Sequence, residues 1–582
     1  MAESSDQRAL ATRLSGMSDE QLSMAFRRRG VSTGASWHDW FDAAEGLLDA
    51  ASVDRALTRL PRVALRAVSG DAGDSGSAGA ADLSALLLAG EDGVAYGMVR
   101  ERAAALADVR PEVFAPTPEV MAPGAADAAS TAAIAERVFR TLSALADVVL
   151  AASLAPLART GAGGISAVDR RRFVEAEIVE SAEQLEDLVA VAASAGLLSA
   201  VDREWAATDE GDAWLRLTSA ARWAAVVEGF RSTLPEALRT PDGGYQPVAG
   251  WLDAFPLDAD WPARAQQLQR TAVAWGLVAG HDATGLSVEP AWATPLRLGE
   301  AATPAPLAAE LPAEIDRVYL QADLTAIAPG PLAPELDLRL RTLARRESRA
   351  QASTYRFDAD TVAGAMTGGE TAASLTEFLS GLSLTGIPQP LAYLIESAAA
   401  RHGRVTVRQD AATGHTLVAS DDDAMLATIE VDQSLRPLGL VTDDGGLVTR
   451  VSRDSVYWAL ADARYPVMAV DGAGDALPLR RGRRAGADAA PPVADYARLL
   501  AILRSGGGGG DADAAWLERE LDLAVRSRGI IVVDVRLPDG TQRSFTLEAS
   551  GLGGGRLRGR DKAADVERTL PLSSIVSVRP GT

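Results

Sequence analysis

The spacing of apolar residues changes along the chain, and each change predicts a different element. Leu185, Leu188, Val189, Ala192 and Ala193 recur at helical spacing. They predict an amphipathic helix that Ser181 opens and Gly196 closes. Another helix is predicted from Ser166, with Asp169 in its first turn. Leu197-Leu198, Trp205 to Thr208 and Trp214-Leu215 then read as a small wing, so residues 161–230 have the pattern of a winged helix. Nearer the start, Ser18 and Gln21 have capping-box spacing, and residues 18–68 read as short helices around Trp37, Trp40 and Phe41. Arg27, Arg28 and Arg29 read as a solvated helix end.

From Val318 strands and helices mix. Val318 to Ile327 reads as two strands about a turn, Pro334 to Ser348 as a helix, and Thr354 to Phe357 as a strand. Asp358 is placed to cap a helix that Gly368-Gly369 stops near Met366. Helices follow over Thr371–Gly381 and from Pro388 to His402-Gly403, and Val405–Arg408 is a strand. Asp421, Asp422 and Asp423 read as the cap of a helix over Ala424–Glu430, because the ligand spacing of a calcium loop is missing. Near the end, Glu518–Ser527 is helical in pattern. Strands follow over Ile530–Arg536, Gln542–Leu547, Arg556–Arg560 and Ile575–Val578, with a hairpin turn at Pro538-Asp539-Gly540.

Composition punctuates these elements. Ser69–Ala81, Pro116–Thr131, Gly299–Glu314, Gly472–Asp495 and Ser505–Gly510 are rich in Gly, Ser, Pro or Ala and read as loops and linkers. No internal repeat of fixed period stands out. The expected fold is multidomain, mainly α with α+β. It comprises an N-terminal helical domain (1–115), a helical, winged-helix-like domain (116–310), an α+β domain (311–480), a flexible linker (481–511) and a small C-terminal β-barrel (512–582). Residues 315–440 are expected to fold on their own, because their caps, turns and apolar faces agree.

The 582 residues hold no cysteine, which excludes disulfides, thiolate metal sites and a cysteine nucleophile. The single lysine, Lys562, precedes Ala563, so no phosphate-loop lysine exists. His38, His281, His402 and His415 stand at no metal or triad spacing. The run Gly551–Gly555 leads into an Arg-rich strand, not the helix a dinucleotide loop needs. The chain is therefore expected to be no enzyme and to use no cofactor or metal. Met1–Leu10 is polar with no apolar signal core, and Ser143–Ala158 is short and carries Asp147, as a buried helix would. No membrane contact is expected, and a cytoplasmic location is.

Charge is unevenly spread. With 57 Lys+Arg against 79 Asp+Glu the net charge is −22, of which residues 1–314 carry −18 (44 acids, 26 bases). Residues 526–582 carry +4 (6 acids, 10 bases). Nucleic acid is repelled by such a chain as a whole, so any contact must be local and near the C-terminus. Arg556, Arg558 and Arg560 alternate, which sets them on one strand face, and Arg543 and Lys562 could join them. That face reads either as a phosphate contact, for DNA or RNA, or as a charged edge that blocks sheet-to-sheet aggregation. A single strand would be held there by about three phosphates. The helix after Ser181 offers Glu183, Glu186 and Asp187 and no base, which suits a protein partner better than DNA.

Residues 354–407 resemble the N-terminal domain of XPB-type helicases. Tyr355, Arg356, Gly369, Phe378-Leu379, Leu382-Ser383, Pro388 and His402-Gly403-Arg404-Val405 stand at the matching turn, glycine, helix and strand positions. The likeness extends over 318–350 and more loosely to Leu440. It also covers helicase-associated domain proteins that carry this unit without an ATPase. No GxxxxGK[ST] and no DEAH-like box occurs, so the resemblance implies a docking module without a motor. The winged-helix-like part is distantly similar to the TFIIH subunit that clamps XPB. Residues 516–580 are similar to WYL domains, small Sm-like β-barrels of nucleic-acid-responsive regulators, although the Trp-Tyr-Leu signature is missing. Together these imply a non-catalytic helicase-associated adaptor in DNA repair or transcription. Its partners would be a helicase, a nuclease or the transcription or repair machinery. The alternatives are a purely structural or regulatory interaction protein, or an accessory subunit of a helicase on another chain.

Overall fold

A computed structural model describes residues 2–68, 76–116, 120–280, 287–349, 352–411, 413–443, 445–474, 476–477, 479, 494–506, 517, 521–522, 524–526, 528–537 and 540–580. The chain forms two compact units, Met1–Val120 with Gly250–Gln266 and Pro492–Thr582, and Met121–Ala249 with Gln267–Pro491.

The first unit begins with helices Ala2–Gly16, Asp19–Arg29, Trp40–Leu48 and Ala50–Leu57. Ser18 and Gln21 form the expected capping box, with N–H to side-chain oxygen distances of 2.9 and 3.2 Å. Phe26 and Trp40 are buried, and Trp37 and Phe41 pack against the same core. Arg29 departs from the solvated reading. It is 6% exposed and donates to the carbonyls of Leu86 and Leu47 and to Ser52 Oγ, while burial lowers its pKa to about 10. Those acceptors are what make the burial tolerable. The loop expected over Ser69–Ala81 is helical from Gly76, in the helix Gly76–Ala85; residues 69–75 lie outside the described residues.

Part of the expected flexible linker is core. Helix Ala497–Gly506 adds Leu499, Leu500 and Leu503, and Tyr496 just before it, to the cluster built from Leu10, Leu14, Leu22 and Phe26. Tyr496 Oη donates to Val31 O at 2.8 Å, and Arg504 reaches Asp19 at 3.0 Å. The basic residues Arg480, Arg481, Arg483 and Arg484 lie outside the described residues, as does the glycine run from 507.

The second unit holds residues 161–230, for which a winged-helix pattern is expected. β1 (Gly124–Ala125) pairs in parallel with β5 (Val288–Glu289). Between them runs the helix Ala128–Leu154, then β2 (Leu157–Ala158), β3 (Leu198–Val201) and β4 (Glu204–Ala207), in sheet order β2-β4-β3. Helices Ala167–Glu175 and Ala182–Ser194 lie between β2 and β3, capped by Ser166 and Ser181 as expected. Trp214 is not part of a wing. It ends the helix Asp209–Trp214, where its buried Nε1 donates to Arg222 O at 2.9 Å. The presumed linker Gly299–Glu314 contains a helix, Pro304–Ala308, with Leu307 fully buried.

One local motif does recur. The bridges Ala89↔Ala95, Arg159↔Ile165, Arg239↔Tyr245 and Val470↔Ala476 close the same hairpin loop. Each loop turns at a glycine of positive φ, at Gly93 (77°), Gly163 (95°), Gly243 (83°) and Gly474 (92°). Glycine takes that conformation without strain. The intervals between the loops differ, so the recurrence has no period.

Residues 315–479 build two cores in series. In the first, β6 (Tyr319–Leu320), β7 (Thr325–Ala328), β8 (Arg345–Arg349) and β9 (Ser353–Arg356) pair in the order β6-β7-β9-β8. Helices Pro334–Leu343, Ala359–Thr367, Ala372–Leu382 and Gln389–Arg401 complete it. Asp358, Thr371 and Pro388 cap the last three. The helix predicted over Pro334–Ser348 stops at Leu343, because Arg345, Arg346, Ser348 and Arg349 pair with β9 instead. This frees Arg346 to approach Asp147, a 2% exposed acid in the middle of the apolar helix 128–154, at 3.7 Å. Arg341 also ion-pairs with Asp147 and lies 3.6 Å from Asp337, which accepts from Tyr355 Oη at 2.6 Å.

The second core surrounds β10 (Val405–Gln409), β11 (Thr416–Ser420), β12 (Val441–Asp443), β13 (Gly446–Thr449) and β14 (Val467–Ala469), in the order β12-β13-β11-β10-β14. Asp422 caps the helix Asp423–Val431, as its sequence suggests. Leu447, Val456, Tyr457, Leu460 and Val467 are buried with Val405, Val407 and Val418. A unit cut at 440, as expected for independent folding, would lose about half of this core, which runs on to Leu479 inside the span 311–480.

The C-terminal part is a meander of β15 (Ile530–Arg536), β16 (Gln542–Gly553), β17 (Arg556–Asp561) and β18 (Val566–Pro571), with β19 (Ile575–Pro580) returning beside β15. The order β18-β17-β16-β15-β19 leaves β18 and β19 as opposite edges. No pairing joins them among the described residues, so this is an open sheet and not the expected closed barrel. Pro538 and Asp539 lie outside the described residues, but Arg536↔Gln542 closes the ladder around them. Of the helix expected over Glu518–Ser527, both named ends lie outside the described residues.

Candidate nucleic-acid interface

β17 reads Arg-Leu-Arg-Gly-Arg-Asp, and the sheet sorts it by alternation. Leu557, Gly559 and Asp561 are buried, while Arg556, Arg558 and Arg560 are exposed on the other face. Gly559 is forced by packing, since a Cβ there would meet Glu548 O at 2.9 Å. Leu557 joins Val533, Val535 and Leu547 in the core that holds the row of arginines in place.

The neighbours of each cation differ. On β16, Arg556 faces Gly553, Arg558 faces Gly551 and Arg560 faces Glu548; on β18 they face Pro571, Thr569 and Glu567. Arg560 pairs with Asp565 at 2.7 Å, and Lys562 with Glu548 at 2.5 Å. The Lys562 ammonium holds the Glu548 carboxyl below its ordinary range. Arg556 and Arg558 have no ion-pair partner among the described residues. Of the five expected cations, Arg560 and Lys562 are thus internally matched, and Arg556 and Arg558 are unneutralised among the described residues.

Arg543 does not join them. It lies opposite Val535, a core residue, and its guanidinium sits 5.4 Å from the Phe545 ring centroid. Side chains alternate along β16, so Arg543 shares the face of Phe545 and Leu547, not that of Glu548. Arg568 covers the same ring at 4.7 Å and pairs with the buried Asp561 at 2.5 Å, which draws the Asp561 carboxyl below its ordinary range. The sequence gives no signal of the acids at 548 and 565 as partners, because they reach β17 only through the fold.

The acidic helix Ala182–Ser194 is also occupied. Arg270 pairs with Glu183 at 2.9 Å and with Asp187 at 3.3 Å. Among the described residues no three His, Asp or Glu side chains group to hold a metal ion. No described helix is long and apolar enough to cross a membrane.

A family model described as a helicase conserved C-terminal domain matches residues 318–444. The stretch carries a helicase-associated domain. No curated protein matches the chain. The match takes in the first core of 315–479 whole, but ends inside the β12–β13 hairpin of the second. β13 and β14, which complete the second sheet, lie beyond the match. The buried Asp147–Arg341 pair ties this domain to the helix 128–154.

Proposed function

We propose that the chain is a non-catalytic, cytoplasmic helicase-associated adaptor in DNA repair or transcription. The observation that carries this is a helicase-associated domain in a chain with one lysine and no phosphate-binding loop. A motor needs a lysine at the phosphates and an acid at the metal. The domain is read as XPB-N-terminal-like, the helices before it as winged-helix-like, and the C-terminal sheet as an open relative of WYL domains. The first two dock partner proteins: a helicase, a nuclease or the transcription or repair machinery. In the second, the pairing of Glu183 and Asp187 with Arg270 supports protein contact over groove reading. The β17 face contacts nucleic-acid phosphates through Arg556 and Arg558.

A second reading has support of its own. The internal pairing of Arg560 and Lys562 fits a charged face kept against aggregation, in a structural or regulatory protein or an accessory helicase subunit.

Affinity purification of the tagged chain, with and without nuclease, separates the two. Helicase or nuclease partners support the adaptor, and loss of those partners on nuclease treatment places nucleic acid in the tether. The purified chain is expected to show no DNA-stimulated ATP hydrolysis; turnover that persists through rigorous purification overturns the non-catalytic reading.

A further inference from the structure

The β17 face carries a positive row beside bare backbone, and it offers no ring. Arg556 and Arg558 project two residues apart on one strand face, about 6.7 Å along the strand. Directly opposite them on β16 stand Gly553 and Gly551, where an added Cβ would have nothing within 4 Å. Neither glycine has positive φ, so the backbone does not require glycine there. Packing does not require it either, in contrast to Gly559. Glycine in a strand that needs it for neither reason costs stability and opens the backbone to close approach.

The aromatic count decides what could approach. Residues 511–582 contain two aromatic side chains, Trp516 and Phe545. Trp516 lies outside the described residues. Phe545 is buried on the opposite face under Arg543 and Arg568. Single-strand binders gain much of their affinity by stacking unpaired bases on exposed rings. This face can contact phosphates but has no described ring on which to stack a base.

We infer that the outer face of β16 and β17 takes the sugar–phosphate backbone of double-stranded nucleic acid, laid along the Gly551–Gly553 strip between the guanidinium groups of Arg556 and Arg558. A duplex keeps its bases paired and presents phosphates at high density, so it loses nothing where no ring is offered. This replaces the single strand that charge alone suggests, and it rests on the phosphate-contact reading of the face.

The test uses the full chain at low salt, with a labelled 20-base-pair DNA duplex (about 20 pairs gives a site longer than two phosphate contacts need) and one of its strands. The duplex is expected to bind several-fold more tightly at equal phosphate concentration. Its log–log salt slope should be near −1.8, from about 0.9 for each of two phosphates. Gly551→Val with Gly553→Val should weaken duplex binding several-fold while the melting temperature holds or rises, since valine suits a strand. Equal or tighter binding of the single strand overturns the duplex assignment but leaves phosphate contact standing. Unchanged binding by the valine variant overturns the glycine strip alone. If Arg556→Ala with Arg558→Ala binds the duplex as the parent does, the phosphate-contact reading itself fails.

Discussion

Arginine serves two ends in this chain, and the two regions that show it differ in where the counter-charge sits. Around Asp147 the arginines are inside: Arg341 and Arg346 are 12% and 11% exposed at the side chain and converge on one acid from different elements. On β17 they are outside, paired to exposed acids on nearby turns or to nothing. A buried charge without its partner is costly, so the first arrangement is committed to structure. An exposed charge costs little either way, so the second is free to contact a ligand.

The largest expected effect breaks the first half of the comparison. Asp147→Ala leaves two buried guanidinium groups short of an anion and should destabilise the protein by about 3–5 kcal/mol in chemical denaturation. A loss under about 1 kcal/mol would mean that water or Asp337 neutralises the cluster instead. Next in size is Leu557→Ala, which empties the core beneath the arginine row and should cost about 2–5 kcal/mol. Against it, Arg556→Ala with Arg558→Ala should change stability by no more than about 0.5 kcal/mol; a drop as large as that of Leu557→Ala would make the row structural. Asp565→Ala sharpens the second half. Releasing Arg560 should steepen the duplex salt slope by about 0.9 with less than about 1 kcal/mol lost in stability.

The smallest effect is a pH dependence inside the helicase-associated domain. Arg339 meets Glu370 through paired contacts of 2.8 and 3.0 Å and holds the Glu370 carboxyl below its ordinary value of 4.5. The depressed pKa makes the pair's contribution full above the unfolded-state carboxylate range, and lost as pH falls through the folded value. Acid titration of Glu370→Gln should therefore show a shallower stability loss below the ordinary carboxylate range than the parent; identical curves would remove the pair from the account.

What could be read in advance follows the range of the interaction. Ser18, Ser166, Ser181, Asp358 and Asp422 cap helices as their spacing suggests, because a cap is settled within three residues. The alternation of Arg556, Arg558 and Arg560 is likewise local. Residues 345–348 read as helix in the sequence and become strand because β9 offers a ladder. The linker residues 496–503 look flexible beside the glycine run, yet their apolar face completes a core laid down by residues 10–113. Arg543 fails for a subtler reason: it lies in the right strand pair but with the wrong parity, and only the register with Val535 shows it.

That returning helix also sets a clock on synthesis. Tyr496, Leu499, Leu500 and Leu503 seal a cluster whose other buried members end at Val113. A ribosome adding about 5–20 residues per second reaches them about 390 residues and roughly 20–80 s later. For that interval the apolar side chains that this helix covers in the finished protein stay open to water on the emerging chain.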